Sequence, residues 1–155
     1  MTPTLRAVPY DHPDVRRLIT AMAHELDLRY GDGGLSPATA DDFLPPGLLL
    51  VADLDGAPVG CGGIRPYGGD GGEVKRMYVD PTVRGRGVAR ALLAALVAHA
   101  RGHGMRRLVL ETGTEQPEAV GLYESEGWTR IPAFGHYAHD PRTRCYGLSL
   151  AEPQS

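Results

Sequence analysis

The sequence predicts a single α/β domain, covering residues 1–155, with about seven strands and about four helices. A chain of this length is enough for one compact domain with its own apolar core. Short apolar runs typical of strands alternate with segments of helical periodicity, in the order β-α-α-β-β-β-α-β-α-β-β. The 21 glycines and 13 prolines are scattered between these segments, so they indicate turns and not a linker or a disordered region.

The first third of the chain predicts one strand followed by two helices. Thr4–Val8 forms a short strand, and Pro13 suits the first turn of a helix because the missing N–H would have no partner there. That helix ends by Gly31, and a shorter helix follows over Ser36–Phe43 with Ser36 as its N-cap. The apolar stripe of the longer helix consists of Val15, Leu18, Ile19, Met22, Ala23 and Leu26.

The middle of the chain predicts a β-hairpin and a third strand. Leu48–Leu54 is a dense apolar run, and Asp55-Gly56 after it is a strong hairpin signal. The second strand of the hairpin, Val59–Arg65, contains three glycines, which indicate a bend or the close approach of another backbone. The third strand begins at Glu73 and reads EVKRMYVDP.

A long amphipathic helix follows the arginine-glycine turn TVRGRG and runs to Gly102. Its apolar stripe predicts that this helix is firmly packed on the sheet, so that its dipole points in a fixed direction. The remaining elements are a buried strand over Arg106–Thr112, a helix over Pro117–Glu126 that stops at Gly127, and strands over Trp128–Ile131 and Arg144–Leu150.

Composition excludes several classes of function. The net charge of −3 argues against general nucleic-acid binding, and no stretch approaches the roughly 18 apolar residues of a membrane span. The N-terminus lacks the apolar segment of a secretion signal, so we expect a cytoplasmic protein in which Cys61 and Cys145 are free thiols. No metal site is expected, because no carboxylate or cysteine completes a ligand set with His136 and His139.

The turn between the strand that begins at Glu73 and the long helix is a candidate anion site. A helix start has unpaired N–H groups and a positive dipole end, and small residues let a ligand approach the backbone. The turn has neither the Walker spacing nor the dinucleotide-binding spacing. An ordinary glycine-rich turn with solvated arginines is the alternative. The turn residues are Arg84, Gly85, Arg86, Gly87, Val88 and Ala89.

Two motifs and the order of the elements resemble the GNAT superfamily of acyl-CoA-dependent N-acetyltransferases. The first motif, [Q/R]-x-x-G-x-[G/A], is met by Arg84, Gly87 and Ala89, after a strand and before a long helix. The second, A-x-x-L-Y-x-x-x-G-[FYW], is met by a later segment. The likeness runs from the first strand to the last. The residues of the second motif are Ala119, Leu122, Tyr123, Gly127 and Trp128.

The resemblance implies a mixed central sheet. The strand before the arginine-glycine turn, which begins at Glu73, splays from its neighbour in this sheet and leaves a V-shaped cleft for acetyl-CoA. Strand residues Met77, Tyr78 and Val79 would line the pantetheine arm, with backbone groups of Met77 and Val79 pairing with its amides. The N–H groups of residues 84–89 would hold the pyrophosphate. Many members have an asparagine that contacts the cofactor where this chain has Gln116.

The resemblance also implies direct attack of a neutral amine on the acetyl thioester in a ternary complex, without a covalent enzyme intermediate. Tyr123 matches the tyrosine that protonates the departing thiolate; an aromatic core residue is the alternative. Glu73 stands where some members have their general base. Regular pleating predicts that Glu73 faces the cleft on the same side as Lys75, Met77 and Val79. A surface carboxylate paired with Lys75 or Arg76 is the alternative.

The acceptor is expected to be a small-molecule or peptide amine, bound by residues 26–43 and 132–143. Acidic side chains there, Asp27, Asp32, Asp41 and Asp42, are able to attract a cationic amine, and solvated acidic loops are the alternative. A function of another class is a non-catalytic acyl-CoA-binding regulatory module that keeps the cleft. Homodimers are common in the family, and no apolar surface stripe in this sequence identifies an interface.

Overall fold

The computed structural model describes residues 2–31 and 35–151. Within them the chain forms seven strands, three α-helices and two short 3-10 turns. The strands are β1 (Thr4–Ala7), β2 (Leu48–Leu54), β3 (Ala57–Tyr67), β4 (Gly71–Val79), β5 (Arg107–Gly113), β6 (Thr129–Ile131) and β7 (Thr143–Ser149). The helices are α1 (Pro13–Tyr30), α2 (Val88–Gly102) and α3 (Pro117–Ser125), and the 3-10 turns are Ala40–Phe43 and Pro81–Val83.

All seven strands belong to one mixed sheet in the order β1-β2-β3-β4-β5-β7-β6. Neighbouring strands are antiparallel except β4 and β5, which are parallel and joined through α2. The parallel pairing begins at Gly71 and Arg107 and ends at Val74 and Leu110. Beyond this point, which we call the fork, the two strands separate. The predicted mixed sheet with a splayed, V-shaped cleft is therefore confirmed.

The sheet carries an apolar core on each face. Helix α1 and the Ala40–Phe43 turn cover one face, where Val15 and Val51 are fully buried. Helices α2 and α3 cover the other face, on which Leu92, Leu96 and Leu108 are fully buried. The apolar stripe of α2 is therefore packed on the sheet, as its periodicity predicted. None of the helices in the described part of the chain has the length and the apolar run that a bilayer crossing requires.

Most predicted elements are confirmed, and the second helix is the clearest exception. The turn Asp55-Gly56 joins β2 to β3 with positive φ at both residues, 52° and 79°, as a tight hairpin needs. The helix predicted over Ser36–Phe43 is only the 3-10 turn Ala40–Phe43, with Thr39 at its N-cap. Ser36 does not cap it, because its hydroxyl accepts a hydrogen bond from Lys75 instead. The four predicted helices thus become three α-helices and this turn.

Regular pleating of β4 was a wrong prediction. In the pairing of β3 with β4, Gly63 opposes Lys75 and Cys61 opposes Tyr78, so two residues of β4 lie opposite Gly62. This β-bulge includes Arg76, whose φ is 62°. Because one extra residue reverses the alternation, Glu73 and Lys75 face α1, whereas Met77 and Val79 belong to the core beneath α2.

Candidate functional site

Two cavities meet at the fork. The larger, of about 640 Å³, lies between the end of β4, the turn after it, the start of α2 and helix α3. The smaller, of about 120 Å³, lies between α1, the segment after it, the fork and residues 137–143. Both cavities share one set of lining residues, so a group at this boundary is able to contact a molecule in either cavity. The shared residues are Met22, Leu26, Met77, Gln116, Ala119 and Tyr123.

The turn before α2 presents open backbone to the larger cavity. Gly85 and Gly87 have φ of 84° and 83°, and a Cβ at either position would meet nothing within 4 Å. The first hydrogen bond of the helix is donated by Ala91 to the Gly87 carbonyl. The N–H groups of Val88, Ala89 and Arg90 therefore begin the helix without intrahelical partners. This arrangement fits an anionic group such as a pyrophosphate.

The two arginines of the turn do not both face the cavity. The guanidinium of Arg84 forms two hydrogen bonds of 2.8 Å with the Glu25 carboxylate and donates at 3.0 Å to the Val79 carbonyl. It also stacks over the Tyr78 ring, 5.8 Å from its centroid. Arg84 thus ties the turn to α1 and β4. Arg86 is exposed, and it is absent from the described lining of both cavities.

The backbone of β4 faces the larger cavity at alternate residues. The N–H of Asp80 donates to the carbonyl of Val59 on β3. The adjacent pair, Val79 and Gly60, is therefore of the non-hydrogen-bonded kind. The amide groups of Val79 therefore point toward the cleft, although its carbonyl is already occupied by Arg84. The strand residues predicted for the pantetheine arm, Met77, Tyr78 and Val79, all line this cavity.

Tyr123 lies at the boundary of the two cavities, on α3. Its side chain is buried, and this burial raises the pKa of its hydroxyl, so the group is protonated at neutral pH. Within the described residues its hydroxyl has no hydrogen-bond partner. Gln116, at the N-cap of α3, accepts a hydrogen bond of 3.2 Å from the Tyr30 hydroxyl, which leaves its side-chain N–H groups for a ligand.

Glu73 is buried, with 4% of its surface exposed, so it is not a surface carboxylate. One oxygen, Oε1, accepts a hydrogen bond of 2.9 Å from Arg65 Nε and forms an ion pair of 2.8 Å with Arg65 Nη2, and Oε2 lies 3.5 Å from the Lys75 ammonium. The alternative partner Arg76 does not contact it in the described structure. Desolvation lowers the pKa of Lys75, although the nearby Glu73 charge opposes this effect.

Sequence reasoning missed Glu111, which follows Leu110 on β5 at the fork. It lines the smaller cavity together with Glu73, Lys75 and Tyr123. Its Oε2 atom is buried without a hydrogen-bond partner in the described structure, and burial raises the pKa of this carboxyl. The available signal was an acidic residue at the end of an otherwise apolar strand.

The two segments predicted to bind an acceptor do line the smaller cavity, but not through the predicted aspartates. Asp27 and Asp41 are exposed, Asp42 forms an ion pair of 3.2 Å with Arg65, and Asp32 lies outside the described residues. The segments contribute other side chains instead. These are Leu26, Tyr30, Leu35 and Ser36 from the first segment and Tyr137, Asp140, Arg142 and Thr143 from the second.

Both cysteines are free, as predicted, and both are buried. Burial raises the pKa of the Cys61 thiol to about 12, and it also raises the pKa of Cys145. The thiol of Cys61 donates to the Arg76 carbonyl at 3.2 Å. Such thiols are poor nucleophiles, and neither cysteine is among the described lining residues of the two cavities.

Comparison with known proteins agrees with this geometry. Residues 15–128 match the profile of the acetyltransferase (GNAT) family. A protein named IAA acetyltransferase from Azospirillum brasilense is 39% identical over 131 residues, which are 79% of this chain and 84% of that protein.

Solved structures give the same result for the fold. A candidate acyl-CoA N-acyltransferase from Klebsiella pneumoniae matches with a TM-score of 0.79 and 32% identity, over 97% of this chain and 99% of that one. A GNAT family acetyltransferase from Elizabethkingia anophelis, solved with acetyl-CoA bound, has a TM-score of 0.70 and 18% identity, over 96% and 98% of the two chains.

Proposed function

The chain belongs to the acetyltransferase (GNAT) family, and from this premise we propose that it transfers the acetyl group of acetyl-CoA to a primary amine by direct attack in a ternary complex. The observation that carries this proposal is the junction of the two cavities at Tyr123. The larger cavity suits the cofactor arm, and the smaller cavity suits a small amine. We also propose that the chain forms one acetyltransferase domain and that it acts in the cytoplasm.

The larger cavity fits acetyl-CoA through backbone groups more than through side chains. The N–H groups of residues 84–89 hold the pyrophosphate, helped by the dipole of α2. Backbone groups of Met77 and Val79 pair with the pantetheine amides, and Tyr78 lines the same wall. Gln116 donates from its side-chain amide. Arg84 positions the turn through Glu25, and Arg86 contributes long-range positive charge.

The reaction requires two proton transfers at the fork. The amine nitrogen forms a bond to the acetyl carbon, and the bond between that carbon and the CoA sulfur breaks. A carboxylate takes the proton that the amine loses, and the Tyr123 hydroxyl protonates the departing thiolate. A main-chain N–H of β4, near Met77 to Val79, stabilises the oxyanion. The products are an N-acetylated amine and CoA.

Two carboxylates are candidates for the base, Glu73 and Glu111. The sequence proposes Glu73, which stands beside the fork on β4. Contacts favour Glu111, because both oxygens of Glu73 already face Arg65 and Lys75, whereas Oε2 of Glu111 has no partner in the described residues. The pH dependence of two variants, Glu73→Gln and Glu111→Gln, decides between them.

The function is tested by measuring thiol release from acetyl-CoA over a panel of amines, with calorimetry of acetyl-CoA binding alongside. We expect turnover with at least one amine. Tyr123→Phe should then lower kcat by more than about tenfold, because it removes only the proton donor, and should leave the acetyl-CoA Kd unchanged. Tyr67→Phe, which changes an exposed tyrosine, is the matched control.

The contrary outcomes separate the two classes of function. Acetyl-CoA binding with no turnover of any amine would favour the non-catalytic regulatory module. Turnover that survives Tyr123→Phe unaltered would keep the acetyltransferase and refute the acid role of Tyr123.

A further inference from the structure

The bulge in β4 places two consecutive cations on one face of the sheet. In a regular strand, Lys75 and Arg76 would point to opposite faces. Because Arg76 lies in the bulge with a φ of 62°, both side chains turn toward Ser36. Lys75 donates to the Ser36 hydroxyl at 2.7 Å, and Arg76 donates to the Ser36 carbonyl at 2.7 Å. Both residues line the smaller cavity.

Among the described residues, Arg76 is a buried cation without an anionic partner. Only 7% of its surface is exposed, and its hydrogen bonds go to neutral groups, the Ser36 carbonyl and the Tyr10 hydroxyl at 2.9 Å. No carboxylate of residues 2–31 and 35–151 lies within ion-pair distance of its guanidinium. A guanidinium has five N–H donors, and these bonds use two. A buried charge of this kind is unfavourable unless another molecule supplies the counter-ion.

The neighbouring charges do not cancel it. Glu73 is shared between Arg65 at 2.8 Å and Lys75 at 3.5 Å. Asp140, which also lines the cavity, pairs with Arg142 at 2.8 Å. The third acidic residue that lines the described cavity, Glu111, belongs to β5 on the other side of the fork and forms no ion pair with Arg76 among the described residues.

We propose that the acceptor is a small amine that also carries a carboxylate, such as an α-amino acid or a short ω-amino acid. Arg76, assisted by Lys75, binds that carboxylate in the smaller cavity and thereby holds the amine at the fork. The inference rests on the proposed acetyl transfer. An arginine is suited to this role because its planar donors match the two oxygens of a carboxylate. The cavity, of about 120 Å³, has room for the carboxylate end of such a molecule beside Arg76 and Lys75.

The test compares amino acids with their carboxamides, which keep the amine and the shape but lack the charge. Glycine, L-alanine and β-alanine are each paired with the corresponding carboxamide, and thiol release from acetyl-CoA is followed. A charge-assisted contact predicts a kcat/KM about 10- to 100-fold higher for the acid of the preferred pair. Equal rates for acids and carboxamides would overturn the inference and leave the proposed acetyl transfer intact.

Variants then assign the preference to the cations. Arg76→Asn removes the charge with a residue that tolerates positive φ, so the preference for the acid should disappear while the KM for acetyl-CoA is unchanged. Arg76→Lys should retain part of the preference. Arg106→Asn, at an exposed arginine away from both cavities, should retain all of it. If Arg76→Asn does not fold, Lys75→Met is measured instead, and the preference for the acid over its carboxamide should then be reduced but not lost.

A binding measurement separates failure of this inference from failure of the proposed function. Calorimetry with N-acetyl-β-alanine and its carboxamide, in the presence of CoA, measures the contact between Arg76 and the carboxylate without turnover. If the acid binds more tightly than its carboxamide, and Arg76→Asn loses this difference, the proposed carboxylate contact is supported even if no amine is acetylated. Binding of neither compound, or of both equally, overturns it.

Discussion

Glu73 and Glu111 have similar positions beside the fork but different surroundings, and this difference assigns them different roles. Glu73 accepts hydrogen bonds from Arg65 and lies next to the Lys75 ammonium, so its charge is balanced. Glu111 receives the backbone N–H of Tyr137, while its Oε2 atom remains unpartnered in the described structure. A base must be ionised and must have an oxygen free to accept a proton. Glu111 meets the second condition better.

The pH dependence of activity follows from the raised pKa of Glu111. Since the ionised form is the base, kcat/KM should rise with pH through an apparent pKa above the ordinary value of 4.5 for a glutamate. Glu111→Gln should lower kcat by about 10²- to 10⁴-fold. It should also remove the rise of kcat/KM with pH, which is the acidic limb of the profile. Glu73→Gln should keep the acidic limb and mainly lower the KM for the acceptor, because it releases the Lys75 ammonium to assist Arg76 in binding the acceptor carboxylate.

A pH–rate profile of the three proteins decides the assignment. Loss of the acidic limb in Glu73→Gln, and its persistence in Glu111→Gln, would identify Glu73 as the base. Circular dichroism of each variant is the control for folding, since both carboxylates lie in buried or half-buried surroundings.

The turn between β4 and α2 acts as one element with the helix that it starts. Gly87 adopts a φ of 83° at the N-cap, and no atom would contact a Cβ there in the free protein. At the other end of the same helix, Gly104 has a φ of 73° and equally open surroundings. The two glycines therefore carry similar backbone strain on substitution, but only Gly87 faces the larger cavity.

Valine at these two positions separates backbone strain from ligand contact. Gly87→Val should reduce acetyl-CoA affinity by more than about 100-fold, because the branched side chain occupies the space of the pyrophosphate and disturbs the N–H groups that hold it. Gly104→Val should lower the melting temperature by a similar amount and leave affinity unchanged. Calorimetry and thermal melts provide both numbers. Full affinity in Gly87→Val would show that the pyrophosphate lies elsewhere.

For the whole molecule, stability depends on the two cores that sandwich the sheet. Leu96 of α2 is 0% exposed in the larger core, whereas Leu28 of α1 is 74% exposed. Leu96→Ala should lower the free energy of unfolding by about 2–5 kcal/mol, through lost burial and the cavity left behind. Leu28→Ala should change it by less than about 0.5 kcal/mol. Urea denaturation measures both, and comparable losses would contradict the described packing of α2.

The order of elements and the turn at residues 84–89 were predictable from the sequence because both depend on local signals. Helical periodicity defines α2, the Asp55-Gly56 pair defines a hairpin, and the turn 84–89 has its spacing within six residues. The fork was predicted only through family resemblance, since strand separation leaves no periodic trace. The identities of Tyr123 and Gln116 as lining residues came from the same resemblance.

The partners of the charged side chains were decided by the tertiary structure. Arg84 is 59 residues from Glu25 and Arg76 is 66 residues from Tyr10, so no local pattern reveals either contact. The bulge at Arg76 depends on the register between β3 and β4, and it moves Met77 and Val79 away from the face of Glu73. The position of Glu111 at the fork likewise depends on the end of pairing at Val74 and Leu110. The sequence by itself therefore determined the elements and the turn proposed to bind the donor, whereas tertiary packing decided which charged side chains line the smaller cavity, because register and long-range contacts are properties of the folded chain.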